Sequence, residues 1–261
     1  MNSNLQVYNN FVHEYTDYTL TAPEIKILNR FRDNWHNTLM LDIGVGAGRT
    51  TYTFSALVKE YHGIDYSPGM VERCKQALVC RENAEITVQD ATNLSDYYGK
   101  NFNFVMFSLN GIDSVEHEER IQILSEISKV ISREGYFFFS THTLYSFPFS
   151  PKLPSLNLKR PLSSLYYWLK ALRRLLRTKF HYRNVDTEAV LRNDKYTLVT
   201  GDHDFQMAIY HIKPAHQVTQ LEELGFEICT VYSQHGEVVD PQTYTGSGYL
   251  NFLCRPRQMV S

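Results

Sequence analysis

Cysteine is scarce in this sequence, with four residues among 261. Cys74, Cys80, Cys229 and Cys254 form no CxxC pair, and no histidine stands at zinc-ligand spacing. The pattern argues against a metal site or a disulfide framework and predicts free thiols. The first ten residues lack the basic and apolar stretches of a secretory signal, and no apolar run reaches the ~18 residues of a membrane span. We therefore expect a soluble, cytoplasmic protein.

A surplus of charge of one sign is also lacking, because 26 basic residues stand against 28 acidic ones. This balance gives no global case for a nucleic-acid partner. Repeats and low-complexity linkers are missing too, while 43% of the residues are hydrophobic. The composition fits a single domain over residues 1–261, and it leaves the oligomeric state undetermined.

Strand and helix patterns alternate from residue 24 to about residue 143. Apolar runs bounded by turn residues predict strands at 38–44, 61–65, 84–90, 101–109 and 135–143. Helical patterns are predicted at 24–31, 50–59, 67–79 with Ser67 as N-cap, and 116–131. A helix at 217–224 then precedes strands at 226–233 and 248–255, which lack a helix between them and should be antiparallel. This order predicts a doubly wound α/β fold.

The stretch LDIGVGAGRT, residues 41–50, follows the first predicted strand. Glycines at this place let a backbone close on a nucleotide at the carboxyl edge of the sheet. The dinucleotide pattern G-x-G-x-x-G fits Gly44 and Gly46, but Arg49 stands where its third glycine belongs. The third glycine is Gly48 instead, which argues against NAD and a pyrophosphate.

The sequence resembles the class I S-adenosylmethionine-dependent methyltransferases in five segments that follow in the family's order. They are Asp42-x-Gly44-x-Gly46-x-Gly48, GIDYSPGM (63–70), QDATNL (89–94), NFVMFSLNGIDSV (103–115) and LEELGFEICTVY (221–232). The resemblance covers about residues 8–143 and 210–255. It implies a Rossmann-like, seven-stranded, mostly parallel sheet with an antiparallel last strand, and S-adenosylmethionine as the cofactor.

The resemblance also implies roles for individual residues. Asp65 would accept hydrogen bonds from both ribose hydroxyls, and Asp90, beside the backbone of Ala91, would accept one from the adenine amino group. Asp42 would bind the amino group of the ligand directly or through water. The remaining cofactor-binding candidates supply close backbone approach, packing on the adenosine or methionine, or closure from the N-terminal helix: Gly44, Gly46, Gly48, Tyr66, Met70, Ser108, Leu109 and Tyr15, with Tyr8 as second choice to Tyr15.

Residues 144–213 interrupt the alternation after the fifth strand and are predicted to form an inserted substrate cap or lid. Nine of the 26 basic residues and no acidic residue fall between 146 and 185. Residues 161–177 read as a helix with an apolar stripe: Leu165, Trp168, Leu169, Leu172, Leu175 and Leu176. Four interpretations stay open: a lid helix, a membrane-surface helix over about residues 161–178, a basic wall for an anionic substrate and, least favoured, nucleic-acid binding.

Residues 195–212 read as a β-hairpin that turns at Gly201 and Asp202 and covers the acceptor site. Methyl transfer needs a base only if the nucleophile arrives protonated. His142 and His211 rank first as catalytic candidates, ahead of Tyr145, His203 and Tyr210.

The sequence therefore predicts an S-adenosylmethionine-dependent methyltransferase that acts on an oxygen or nitrogen atom of a small molecule. One alternative is a methyltransferase for a lipid-like acceptor at a membrane surface. The other is a cofactor-binding domain without turnover, because binding and catalysis use different residues.

Overall fold

The computed structural model describes residues 19–77, 81–147, 161–202 and 207–258. The strands within these ranges are β1 (Leu39–Ile43), β2 (Glu60–Asp65), β3 (Ala84–Val88), β4 (Phe102–Phe107), β5 (Ile131–Thr143), β6 (Tyr196–Asp202), β7 (Met207–Ile212), β8 (Phe226–Ser233) and β9 (Tyr249–Pro256). The helices are α1 (Ala22–Arg30), α2 (Arg49–Phe54), α3 (Pro68–Ala77), α4 (His117–Val130), α5 (Pro161–His181), α6 (Thr187–Asn193) and α7 (Pro214–Glu223).

Seven of the strands form the expected sheet in the order β3-β2-β1-β4-β5-β9-β8. Strands β1 to β5 pair in parallel, and β9 runs antiparallel to both β5 and β8. This arrangement confirms the doubly wound sheet with an antiparallel last strand. The carboxyl ends of β1, β2, β3 and β4 consequently meet at one edge, where open α/β sheets bind ligands.

The predicted hairpin exists, because β6 and β7 pair antiparallel, but it joins the sheet as two further strands. Strand β4 leaves β5 after Phe139, and β7 then pairs in parallel with β5 at His142 and Thr143. The predicted turn at residues 201–202 is wrong, because Asp202 still pairs with Met207. Residues 203–206, which include the candidate His203, lie outside the described ranges.

Two helix boundaries show how local sequence acts. Helix α3 begins at Pro68, and the Met70 N–H donates to Ser67 Oγ at 3.3 Å, as expected for an N-cap. Helix α2 was predicted to reach residue 59 but ends at Phe54. Three of its six residues are β-branched threonines, which lower helix propensity.

Apolar residues cover both faces of the sheet. Alternation along β5 sends Phe137 and Phe139 into the cluster that α4 and α7 cover, and Phe138 into the cluster that α1 and α2 cover. All three rings are fully buried. Burial on both faces is why the parallel strands read as continuous apolar runs in the sequence.

Candidate functional site

A cavity of about 420 Å³ opens at the carboxyl edge of β1, β2 and β4. Nine of the twelve predicted cofactor-binding residues line it: Gly44, Gly46, Asp65, Tyr66, Met70, Asp90, Ala91, Ser108 and Leu109. Tyr15 and Tyr8 lie outside the described residues. The fold thus brings segments from four separate parts of the chain to one wall.

The glycine loop after β1 has positive φ at Gly44 (69°), Gly46 (54°) and Gly48 (97°). A side chain at Gly44 or at Gly48 would come too close to a neighbouring residue. A Cβ on Gly44 would lie 2.8 Å from Phe107, and one on Gly48 would lie 3.1 Å from Cys74 Sγ. A Cβ on Gly46 would meet open space, because this residue faces the cavity. Gly46 therefore exposes bare backbone to the cavity.

Asp65 ends β2 and holds the glycine loop. Its Oδ2 accepts from the Gly46 N–H at 2.9 Å, and its Oδ1 accepts from the Ser67 N–H at 2.8 Å. Burial raises the pKa of Asp65, although these two N–H groups act to lower it. A carboxylate offers about four acceptor positions, so two remain for hydroxyl groups of a ligand.

Asp90 follows β3 on the same wall. Its Oδ1 accepts from the Thr92 N–H at 2.9 Å and from Thr92 Oγ1 at 2.8 Å. This turn fixes the carboxylate beside Ala91, which also lines the cavity. The arrangement suits recognition of an amino group by a carboxylate and an adjacent backbone.

Asp42 is almost fully buried behind the loop and is not among the described residues that line the cavity. Its Oδ2 accepts from Thr50 Oγ1 at 2.6 Å and from the Tyr61 hydroxyl at 2.5 Å. Burial raises the pKa of Asp42 to about 6. The contacts give Asp42 a bracing role between β1, β2 and α2, and its contact with a ligand stays a prediction.

Glu24 and Arg49 form an ion pair at the cavity wall that sequence reasoning missed. Arg49 Nη1 and Nη2 donate to the two Glu24 oxygens at 2.6 and 2.7 Å, and Glu24 is fully buried. Ser108 joins them, because its hydroxyl donates to Glu24 and accepts from Arg49 Nη2 at 3.2 Å. The available signals were the capping box Thr21-Ala-Pro-Glu24 and the arginine inside the glycine motif.

His142 and Asp113 form a second cluster, between the end of β5 and the loop after β4. His142 Nδ1 lies 2.8 Å from Asp113 Oδ2, which also accepts from the His142 backbone N–H at 2.7 Å. Burial acts to raise the pKa of Asp113, but Arg120 and His142 outweigh it and the pKa is lowered. An ionised carboxylate only accepts, so Nδ1 carries the proton and Nε2 is left as the basic nitrogen.

The His142 ring borders the cavity wall instead of lining it. Its Nε2 lies 3.4 Å from Asn110 Nδ2, and Asn110 stands between the lining residues Leu109 and Gly111. Leu109 and Asn110 both have positive φ, at 51° and 61°, which is uncommon for residues with a side chain. Such strain is typical of functional loops.

His211 lies beside this cluster, and its ring centroid is 5.0 Å from that of His142. It is mostly buried, and its Nδ1 lies 3.1 Å from the Ile209 carbonyl oxygen. The candidate Tyr210 is fully buried and its hydroxyl lies 2.7 Å from His117 Nδ1. Burial raises the pKa of Tyr210, so this hydroxyl stays protonated and is a poor base.

Arg120 links the β6–β7 hairpin to β5, to α7 and to the loop after β4. It is fully buried and donates to Asp113 at 2.6 Å, to Gln217 at 2.6 Å and to Thr141 at 3.0 Å. Its guanidinium lies 4.6 Å from the centroid of the Tyr210 ring. The network fixes β7 and its neighbour β5 relative to Asp113. No cluster of three or more metal-ligating side chains occurs in the described ranges.

Comparisons with known proteins find a methyltransferase family model and similar folds. Residues 40–135 match a family model described as a methyltransferase domain. The CcbJ methyltransferase from Streptomyces caelestis is similar with a TM-score of 0.61 at 14% identity, over 95% of this chain and 96% of that one. A search of curated proteins finds no match.

Two further solved structures carry ligands. Burkholderia thailandensis 1,6-didemethyltoxoflavin-N1-methyltransferase, with 1,6-didemethyltoxoflavin and S-adenosylhomocysteine bound, has a TM-score of 0.60 at 12% identity, over 98% of this chain and 88% of that one. A DhpI-SAH complex has a TM-score of 0.56 at 17% identity, over 98% and 97%. At these identities the likeness shows a shared fold.

Proposed function

We propose that this chain, which has the class I S-adenosylmethionine-dependent methyltransferase fold and a methyltransferase domain over residues 40–135, methylates an oxygen or nitrogen atom of a small molecule. The observation that carries the proposal is the cavity wall itself. Gly46, Asp65 and Asp90 come from three different strand ends and line one cavity. Its volume of about 420 Å³ falls in the ordinary range of ligand sites.

The residues fit the cofactor in their chemistry. Asp65 has acceptor positions for the two ribose hydroxyls, and Asp90 with Ala91 suits the adenine amino group. Tyr66 and Met70 offer apolar surface to the adenosine, while Ser108 and Leu109 stand where the methionine part would lie. Tyr15, which lies outside the described ranges, stays a prediction as a further member of the set.

Bound S-adenosylmethionine supplies an electrophilic methyl group on a sulfonium. The protein must then align the acceptor atom for in-line attack and exclude water. When the acceptor carries a proton, His142 Nε2 accepts it while Asp113 holds the Nδ1 proton and stabilises the imidazolium. His211, beside the His142 ring, is proposed to position it and to border the acceptor.

We propose that the inserted segment 144–213 forms the acceptor side of the site. Support comes from β7, which pairs with β5 at His142 and Thr143, directly beyond the end of β4. A small acceptor is favoured because the similar Burkholderia enzyme is named for the small molecule 1,6-didemethyltoxoflavin. That enzyme is named as an N1-methyltransferase, so nitrogen is one candidate acceptor atom here.

A methyl-transfer screen tests the proposal. The protein is incubated with S-adenosylmethionine that carries a labelled methyl group and with pools of small metabolites, and product label is counted. Transfer to a small molecule is expected. S-adenosylhomocysteine binding without transfer to any pool would favour the cofactor-binding domain without turnover.

The histidine assignment is tested on the acceptor that the screen finds. His142→Gln should lower kcat/KM by about 10²–10⁴ and remove the rise of the rate with pH that a histidine base causes. Asp113→Asn should lower it less and leave cofactor affinity unchanged. His235→Gln, at an exposed site, is the control. Wild-type rates in the His142 variant would show that no base acts there.

A further inference from the structure

Helix α5 leaves part of its apolar stripe uncovered. Trp168, Leu172 and Leu175 are half-buried, whereas Leu165, Leu169 and Leu176 are 47%, 52% and 58% exposed. Phe180 is 68% exposed on the same side. At 100° per residue, Leu165, Leu169, Leu176 and Phe180 fall within an arc of about 60°. We call these four residues the outer apolar face.

Basic side chains flank the outer apolar face. Arg173 and Arg177 follow it on one side of the helix, with Lys170 and Arg174 beyond them, and Lys179 stands on the other side. The segment 146–185 contains nine basic residues and no acidic residue. The helix therefore presents leucine and phenylalanine between rows of positive charge, along about 23 Å from Leu165 to Phe180.

This combination is typical of helices that lie in a membrane interface. Four large apolar side chains side by side in water are unfavourable and mark an interaction surface. None of the described helices has the length and apolarity needed to cross a bilayer. We propose that the outer apolar face inserts into the headgroup region of an anionic lipid bilayer, with the flanking basic side chains on the lipid phosphates.

Charge distinguishes a lipid surface from other occupants of this face. The rest of the chain carries 17 basic and 28 acidic residues, so an anionic bilayer attracts α5 and repels the remaining surface. A second copy docked through the same face would bring like charges together. A nucleic acid would pair with the basic residues but leave the leucines and Phe180 in water.

Vesicle co-sedimentation of the full chain tests the proposal. The probes are vesicles of phosphatidylcholine alone and of phosphatidylcholine mixed with phosphatidylglycerol. Binding is expected only with phosphatidylglycerol present. It should fall between about 0.1 M and 1 M salt, because the screening length shortens from about 10 Å to about 3 Å.

Two variants separate the apolar and basic contributions. Leu176→Asp should weaken vesicle binding at least about tenfold, because the leucine no longer enters the bilayer. Lys170→Gln combined with Arg173→Gln should weaken it roughly thirtyfold. The matched controls are Val238→Asp, at a site 71% exposed, and Lys26→Gln combined with Arg32→Gln. Thermal melting of each variant confirms folding.

Three outcomes would overturn the proposal. One is equal binding to both kinds of vesicle, and another is no binding to anionic vesicles at low salt. The third is a concentration-dependent dimer in sedimentation velocity that Leu176→Asp dissociates, since a second copy would then cover the face. Anionic-lipid binding that both α5 variants lose and both controls keep supports it.

Discussion

Arg49 donates a hydrogen bond from each of its two terminal nitrogens to the Glu24 carboxylate, at 2.6 and 2.7 Å, in the wall of the cavity. Glu24 belongs to α1 and Arg49 opens α2, so the pair ties the first helix to the glycine loop. Burial opposes the charge on Glu24, but Arg49 and Ser108 outweigh it and the pKa of Glu24 is lowered. The pair is therefore ionised at neutral pH.

We expect Glu24→Gln to lower the free energy of unfolding by about 3–5 kcal/mol, because it leaves the largely buried Arg49 without its counter-charge. Urea unfolding measures the change. Glu227→Gln is the matched control, since its partner Arg255 is 42% exposed and little should be lost there. Equal stability of the two variants would show that the buried pair contributes no more than a surface one.

Asp42 gives the protein a pH-dependent cost in stability. Its pKa is 3.8 without burial and about 6 when folded. Between these values the folded state holds more protons than the unfolded state, so the free energy of unfolding falls as pH rises, by about 3 kcal/mol in total. Asp42→Asn cannot titrate and should gain that amount relative to wild type from about pH 4 to about pH 7.

Urea unfolding at a series of pH values measures this difference. Glu24 and Asp113 have lowered pKa values and stabilise the fold above their unfolded pKa, with loss as pH falls. Both residues are present in the two proteins, so their contribution cancels in the comparison. Parallel stability curves would mean that Asp42 is not protonated in this window.

Removal of the Asp65 carboxylate should weaken S-adenosylhomocysteine binding by about 2–4 kcal/mol, because two charge-assisted ribose hydrogen bonds are lost. The Gly46 and Ser67 N–H groups also lose their acceptor, so the loop loosens. Calorimetric titration of Asp65→Ala measures the affinity, and Asp96→Ala, at an exposed site, is the control. Unchanged affinity in a folded Asp65→Ala protein would place the ribose elsewhere.

Cofactor choice follows from the residue after the third glycine. Arg49, fixed by Glu24, stands where the dinucleotide pattern has its last glycine, so the glycine that this pattern uses for close packing of helix on strand is missing. A thermal-shift panel should show stabilisation by S-adenosylhomocysteine and none by NAD or NADP. Stabilisation by NAD alone would contradict the methyltransferase proposal.

The local sequence determined most of the frame. Continuous apolar runs predicted strands β1 and β4, and Ser67 with Pro68 predicted the start of α3. The glycine spacing predicted the loop that lines the cavity. Each of these features depends on neighbours a few residues apart. For that reason periodicity, capping and turn chemistry are sufficient to predict them.

Tertiary structure decided the chemistry around that loop. Ser108 meets Glu24 from 84 residues away, His142 meets Asp113 from 29, and Gln217 meets Arg120 from 97. The hairpin joined β5 because β4 ends early and leaves an unpaired strand edge. Buried charges and open strand edges find partners wherever the fold brings them, and no local pattern names those partners.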